Sequence, residues 1–373
     1  MFKARKKSVL FHNPDYHCTF FYQKELINLG WRADIFVFDT YPEQLLFNSE
    51  NVLKSYKISK KTSINYTLWL LCNFLKYKYV FYYGRPIDYG RIFLKLGLKV
   101  NFEPMLAFIK LFRTKIIYLP TGCNDEFTRS QFMNFDNGKV CNNCGFFEKC
   151  DDKKNTRNLM IINKYADLVI GTGFTEPLIK NLRKIPWKSF DLEMYKPNLL
   201  VPLEFKLSKS NSFKILHATS LESRSFNGKN IKGSEFIEKA VERLKSEGFD
   251  CELIRLTGVK SKNMRYYQAQ ADLVIDQLIY GHWGSSAIEA IALGKPVICY
   301  LNNYMKNEYM KTFKVDGLPI IEANTDNIYE VLKDLLENPQ ILSEYSNLSK
   351  NFAQKQLDVK TNVHGLITAL ESL

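Results

Sequence analysis

The sequence predicts an α/β protein of two doubly wound domains facing a cleft. Three observations lead there. Its 373 residues are too many for one ordinary core and enough for two. Short apolar runs alternate with amphipathic stretches through both halves, as parallel strands do with crossover helices. Between the halves, MYKPNLLVPLEFKLSKSNS (194–212) drops both periodicities for prolines, serines and lysines. The boundaries read from this are 1–198 for the first domain, 199–212 for a linker and 213–345 for the second domain. Residues 346–373 read as a helical tail able to cross back to the first domain.

The elements follow in order. SVLFHN (8–13) is an apolar strand, and PDYHCTFFYQKELINLG carries apolar positions at helical spacing until Gly30 ends it. ADIFVF (33–38), KYVFYYG (78–84) and KIIYL (115–119) read as strands, with a helical stretch around 87–112. A long polar loop (120–152) precedes a helix over 154–165 and the strand DLVIG (167–171). The second series opens with the strand FKILHA (213–218) and the amphipathic helix KGSEFIEKAVERLKSEG (232–248). CELIRL (251–256), DLVIDQ (272–277) and PVICYL (296–301) are further strands, and the tail is helical with a break at Pro339.

Hydrophobic residues at 46% with 24% charged residues exclude a disordered or fibrous chain. Only VLF follows the basic N-terminus, too short a run for a secretory signal. The longest apolar stretch, YTLWLLCNFL (66–75), is about half of the roughly 20 residues a spanning helix needs. The expectation is a cytoplasmic protein, with its eight cysteines thiols or metal ligands. The net charge of +13 is unevenly placed: residues 1–200 hold 31 Lys and Arg against 18 Asp and Glu, whereas 201–373 hold 21 of each. Residues 51–100 have ten basic side chains and one acidic, interleaved with aromatics. Such a face suits an anionic membrane surface and peripheral attachment; a solvated basic face and a nucleic-acid surface are the competing readings.

The most informative stretch is GHWGSSAIEAIALGKPVICYL (281–301). Gly281 and Gly284 allow tight turns, and Ser285 and Ser286 stand where a helix begins, a ready place for phosphate. Glu289, one turn in, has two readings. It accepts hydrogen bonds from a diol such as ribose, or it closes a capping box with Ser286.

GxxGSSAIEAIALGKPVI resembles the donor-site segment of retaining nucleotide-sugar glycosyltransferases of the two-Rossmann-domain (GT-B) type, the family 4-like group. YYQAQADLVIDQLIYG, NIKGSEFIEKAVERLKSEG and the N-terminal NPDYHCTFFYQKELINLGWRADIF extend the likeness over most of the chain. The resemblance implies that Glu289 binds the donor's ribose and that Gly284, Ser285 and Ser286, with Gly281 beside them, lie against its diphosphate. It implies that Lys232 neutralises the departing phosphate, assisted by Arg224 or Lys229 from SLESRSFNGKNIKG. No DxD motif is evident, so metal-independent catalysis is expected, with a UDP- or GDP-sugar as donor and a glycan or lipid-linked acceptor. Relatives often carry HGSD where this chain has IIYLPTGCNDE (116–126); Gly122 and Asp125 are kept, but Pro120-Thr121 stands near the place of the histidine. Asp125, with Glu126, is the candidate for orienting an acceptor hydroxyl, and His12, Asn13, Asp15 and His17 are expected at the cleft edge.

Cys141-x2-Cys144-x5-Cys150, with Cys123 upstream, has the half-site spacing of a structural zinc centre, against free thiols or a redox pair. Two other functions fit parts of this pattern. One is a nucleotide-sugar 2-epimerase of the same architecture; the other is a zinc-containing basic nucleic-acid-binding protein. Neither an acceptor-free reaction nor nucleic-acid binding explains a basic first half joined to a neutral half that carries the donor motifs.

Overall fold

A computed structural model describes residues 6–12, 14, 17–38, 55–58, 76–84, 102–123, 127–145, 147–171, 179–219, 225–226 and 229–373. The chain divides into two compact units. Residues up to Arg129, Asp151–Trp187 and Val359–Leu373 form the first; Ser130–Cys150 and Lys188–Asp358 form the second. Ser130–Cys150 thus groups with the second unit although it lies in the first half of the chain.

Among the described residues the first unit holds a parallel sheet of β1 (Ser8–His12), β2 (Arg32–Phe38), β3 (Ser55–Ile58), β4 (Tyr79–Tyr83), β5 (Lys115–Leu119), β6 (Leu168–Gly171) and β7 (Leu182–Lys184). The strand order is β3-β2-β1-β4-β5-β6-β7. Every residue of β1 and β4 is buried, because a parallel sheet is covered on both faces. One side packs on α2 (Phe102–Leu111) and α3 (Asp152–Tyr165) through Leu10, Val80, Ile116, Leu106, Ile109 and Leu159. The Asp151 side chain caps α3 by accepting from the N–H groups of Lys153 and Lys154. Elsewhere in this unit Trp187 stacks on Tyr22 of α1 (Cys18–Asn28) at 4.4 Å, and the Tyr22 hydroxyl donates to the Pro186 carbonyl at 2.8 Å. The C-terminal helix α10 (Val359–Glu371) packs against α1.

The second unit is a parallel sheet ordered β11-β8-β12-β13-β14, formed by β8 (Phe213–Thr219), β11 (Cys251–Thr257), β12 (Leu273–Ile275), β13 (Val297–Cys299) and β14 (Ile321–Glu322). A two-residue antiparallel pair, β9 (Ser225–Phe226) with β10 (Lys229–Asn230), lies between β8 and the next helix in sequence. The helices are α4 (Ser234–Ser246), α5 (Ser261–Gln270), α6 (Ser285–Ala292), α7 (Asn303–Phe313), α8 (Ile328–Glu337) and α9 (Pro339–Phe352). Pro339 occupies the first turn of α9, where its missing N–H costs nothing. The linker stretch is tied down: Phe205 stacks on Tyr266 at 4.9 Å and its carbonyl accepts from Gln270 of α5. Both sheets are doubly wound, and the fold is that of two Rossmann-like domains as expected. No described helix is long and apolar enough to cross a membrane.

Candidate functional site

In the second sheet the strand order reverses at β8, so β11 lies on one side and β12 on the other. In doubly wound sheets ligands bind beyond the carboxyl ends of the strands at such a reversal. The residues found there are buried and, apart from Ala218, polar. His217 and Ala218 lie near the end of β8, Asp276 directly follows β12, and Lys232 precedes α4.

Asp276 has no exposed surface, and its Oδ1 accepts from Lys232 Nζ at 2.7 Å. The same ammonium donates to the Ala218 carbonyl at 3.3 Å. The other Asp276 oxygen accepts the backbone N–H of Gly284. Burial works against this carboxylate, but the Lys232 charge and the hydrogen bonds from Lys232 and Gly284 outweigh it and hold its pKa below the ordinary value. Gly284 is required by that close approach: a Cβ would lie 2.8 Å from Asp276 Oδ2.

His217 anchors the other side. Its Nδ1 meets the Ile275 carbonyl at 2.8 Å, and a carbonyl only accepts, so the proton sits on Nδ1. Nε2 therefore accepts from the Ser234 hydroxyl at 2.8 Å. That oxygen accepts from Asn230 Nδ2, and Asn230 Oδ1 accepts the Lys232 N–H at 2.9 Å. Burial first, and then the Lys232 charge, lowers the His217 pKa to about 3, so the ring stays neutral and the chain keeps one direction. This polar chain fixes the turn that presents Lys232.

Helix α6 starts at Ser285 with Gly284 as its N-cap, and no side chain caps it. Ser286 is therefore inside the helix, and the capping box with Glu289 does not form. The Ser286 hydroxyl and carbonyl accept from Gln268 of α5 at 3.2 and 3.0 Å. Glu289 is buried. Burial first and then the Asp276 charge raise its pKa from 4.5 to about 8, against the opposing pull of Lys232, Lys188 and Arg265. The loop before α6 is held by Trp283, which lies 4.2 Å from Tyr309 between ring centroids and also contacts Phe313 and Phe352. Gly281 has φ of +70°, a left-handed conformation that favours glycine.

The structure thus brings Lys232, Gly284, Ser285, Ser286 and Glu289 into one region of the second unit. It adds Asp276, His217, Ser234 and Asn230, which the sequence reading did not single out. The signal for Asp276 was an acid closing the otherwise apolar strand LVI. Lys229 lies in β10 opposite Phe226. Arg224, Asp125, Glu126, Asn13 and Asp15 lie outside the described residues. In the first unit His12 is buried at the end of β1 between Phe36 and Tyr82, and burial lowers its pKa to about 3. His17 sits edge-on to Phe21. Both side chains are buried.

The cysteine segment belongs to the second unit from Ser130 onward. Phe132 lies 6.0 Å from Tyr280 between ring centroids, and Lys139 sits over the Tyr300 ring and 3.8 Å from Asp326. Cys141 is buried in the helical turn Lys139–Asn142, whereas Cys144 and Cys150 are partly exposed. Among the described residues no group of three or more His, Cys, Asp or Glu side chains is placed to hold a metal ion.

Residues 233–356 match the family model described as glycosyl transferases group 1. No curated protein matches the sequence. Solved structures share the fold along the whole chain. A glycosyltransferase from Rickettsia africae is 10% identical with a TM-score of 0.60, covering 99% of each chain. Anabaena HepE, solved with UDP-glucose, is 12% identical with a TM-score of 0.57, covering 98% of this chain and all of its own. A UDP-GlcNAc 2-epimerase from Neisseria meningitidis, bound to UDP-GlcNAc, is 10% identical with a TM-score of 0.50, covering 98% of this chain and all of its own. Residues 233–356 are thus similar to a glycosyl-transferase domain, and the chain shares its two-domain fold with glycosyltransferases of known structure.

Proposed function

We propose that the chain moves a sugar from a UDP- or GDP-sugar to a glycan or lipid-linked acceptor at an anionic membrane surface, with retention of configuration. The observation that carries the donor part is the cluster at the strand reversal of the matched domain: a helix start, a fixed lysine and a buried acid around one point.

The start of α6 leaves the N–H groups of Ser285, Ser286 and Ala287 without intrahelical acceptors, a partial positive charge for a diphosphate. Lys232 is held beside it through Asp276, which binds both the ammonium and the helix cap. As the sugar–phosphate bond breaks, negative charge grows on the leaving diphosphate, and these groups lower its energy without moving. The reading requires no divalent metal. Glu289 carries its proton at neutral pH, so it offers a ribose diol one O–H donor and acceptor lone pairs. The membrane and acceptor parts rest on the excess of positive charge in residues 1–200.

The test is a thermal-shift screen with UDP, GDP, CMP and their sugar conjugates on the wild type and Glu289→Ala. Stabilisation by one nucleotide, weakened in the variant, supports the site; equal shifts in both proteins remove Glu289 from it. Incubation with donor alone separates transfer from epimerisation: a C2-epimerised sugar nucleotide would favour the epimerase.

A further inference from the structure

Lys232 Nζ, which the proposed function points at a diphosphate, and the N–H of Gly284, the cap of α6, converge on one carboxylate. Asp276 Oδ1 lies 2.7 Å from the ammonium, and the other oxygen takes the N–H. The pair is deeply buried, with side-chain exposures of 7% for Lys232 and 0% for Asp276. The fit is close: a Cβ at position 284 would lie 2.8 Å from Asp276 Oδ2. A buried carboxylate beside an anion site is costly unless it does something there, because it repels the ligand.

We propose that Asp276 is a positioning residue of the donor site, holding Lys232 and the cap of α6 beside the diphosphate while cancelling the lysine's charge, so that the nucleoside diphosphate product is released. This rests on the donor-site reading above. Without the carboxylate the ammonium would face the diphosphate with its full charge in a buried place, where attraction is strong. The product would then bind tightly, and turnover would be limited by its departure. With the carboxylate the lysine contributes direction and a hydrogen-bond donor but little net charge. The positive potential comes from the helix start, which carries only about half a charge.

Asp276→Asn keeps the shape and an acceptor oxygen but removes the charge. Titration calorimetry with UDP and GDP at low and high salt reads the effect. The expected result is binding of the preferred nucleotide about tenfold tighter or more than in the wild type, with the gap narrowing as salt rises. In steady-state assays kcat and KM should both fall, since product leaves slowly. A purely structural role predicts weaker binding, and unchanged or weaker binding in the folded variant overturns the proposal. If Asp276→Asn does not fold, Asp276→Ser replaces it with the same expectation. If neither folds, Asp276 is a structural residue and the proposal falls. A wild type that binds neither nucleotide overturns the donor-site reading itself, and with it this role.

Discussion

Replacing Glu289 with Gln tests the electrostatics of the site without any substrate. In the folded chain burial and the Asp276 charge raise the Glu289 pKa from 4.5 to about 8. Between those two values the folded protein holds a proton that the unfolded chain has released. Stability falls with pH wherever the native state binds more protons, so this group's contribution is complete below pH 4.5 and is lost as pH rises to about 8. The shift of about 3.5 pKa units, at about 1.36 kcal/mol each, sets a ceiling of about 5 kcal/mol on the loss. Glutamine is neutral throughout and nearly isosteric. Glu289→Gln should therefore melt higher than the wild type at pH 8.5, by up to about 10 °C. The difference should shrink to about 2 °C or less at pH 5. Differential scanning calorimetry across pH 5–8.5 measures it. A variant that is less stable at every pH, or a difference that ignores pH, would show Glu289 to be ionised and satisfied in the fold, and the argument would fail.

Two further substitutions probe the same cluster through stability. Gly284→Ala places a Cβ 2.8 Å from Asp276 Oδ2 in a packed surround, and should cost about 1–3 kcal/mol in urea unfolding with no left-handed backbone strain involved. Lys232→Met strands the buried Asp276 carboxylate and should cost about 3–5 kcal/mol; adding Asp276→Leu should return much of that loss, and the double variant's urea midpoint checks it.

The interior of both sheets was legible because parallel strands buried on both faces read as continuous apolar runs: SVLFH, YVFYY and LVI leave little choice. In the two parallel sheets the strands the sequence reading passed over are β3, β7 and β14, each at a sheet edge. An edge strand pairs on one side only; β7, with the sequence LRK, is largely exposed and carries no apolar signature. DLVIDQ continues past β12: the Asp276 N–H still donates to the Ile298 carbonyl and the Gln277 carbonyl accepts from Tyr300, while their side chains bind the Gly284 N–H and the His282 carbonyl. Lys232, Glu289 and the helix start were visible as a motif. The hydrogen-bond chain from His217 to Ser234 and Asn230 was not, since it joins a strand end, a turn and a helix that only the strand order brings together.

The two acids of the cluster show what that order achieves. Both are buried, which disfavours charge on each. Lys232 and the Gly284 N–H are bound by Asp276, and its pKa falls. Having taken that partner, Asp276 becomes a fixed negative charge, and its field adds to burial in raising Glu289. One lysine thus sorts two similar side chains into an ionised anchor and a neutral proton-bearing group at pH 7. Environments that drive neighbouring pKa values apart mark out distinct roles. The ionised acid suits orientation of cations and N–H groups; the neutral one suits hydroxyls. That division supports the proposed placing of a sugar nucleotide's ribose at Glu289 and its diphosphate at the start of α6, rather than the reverse.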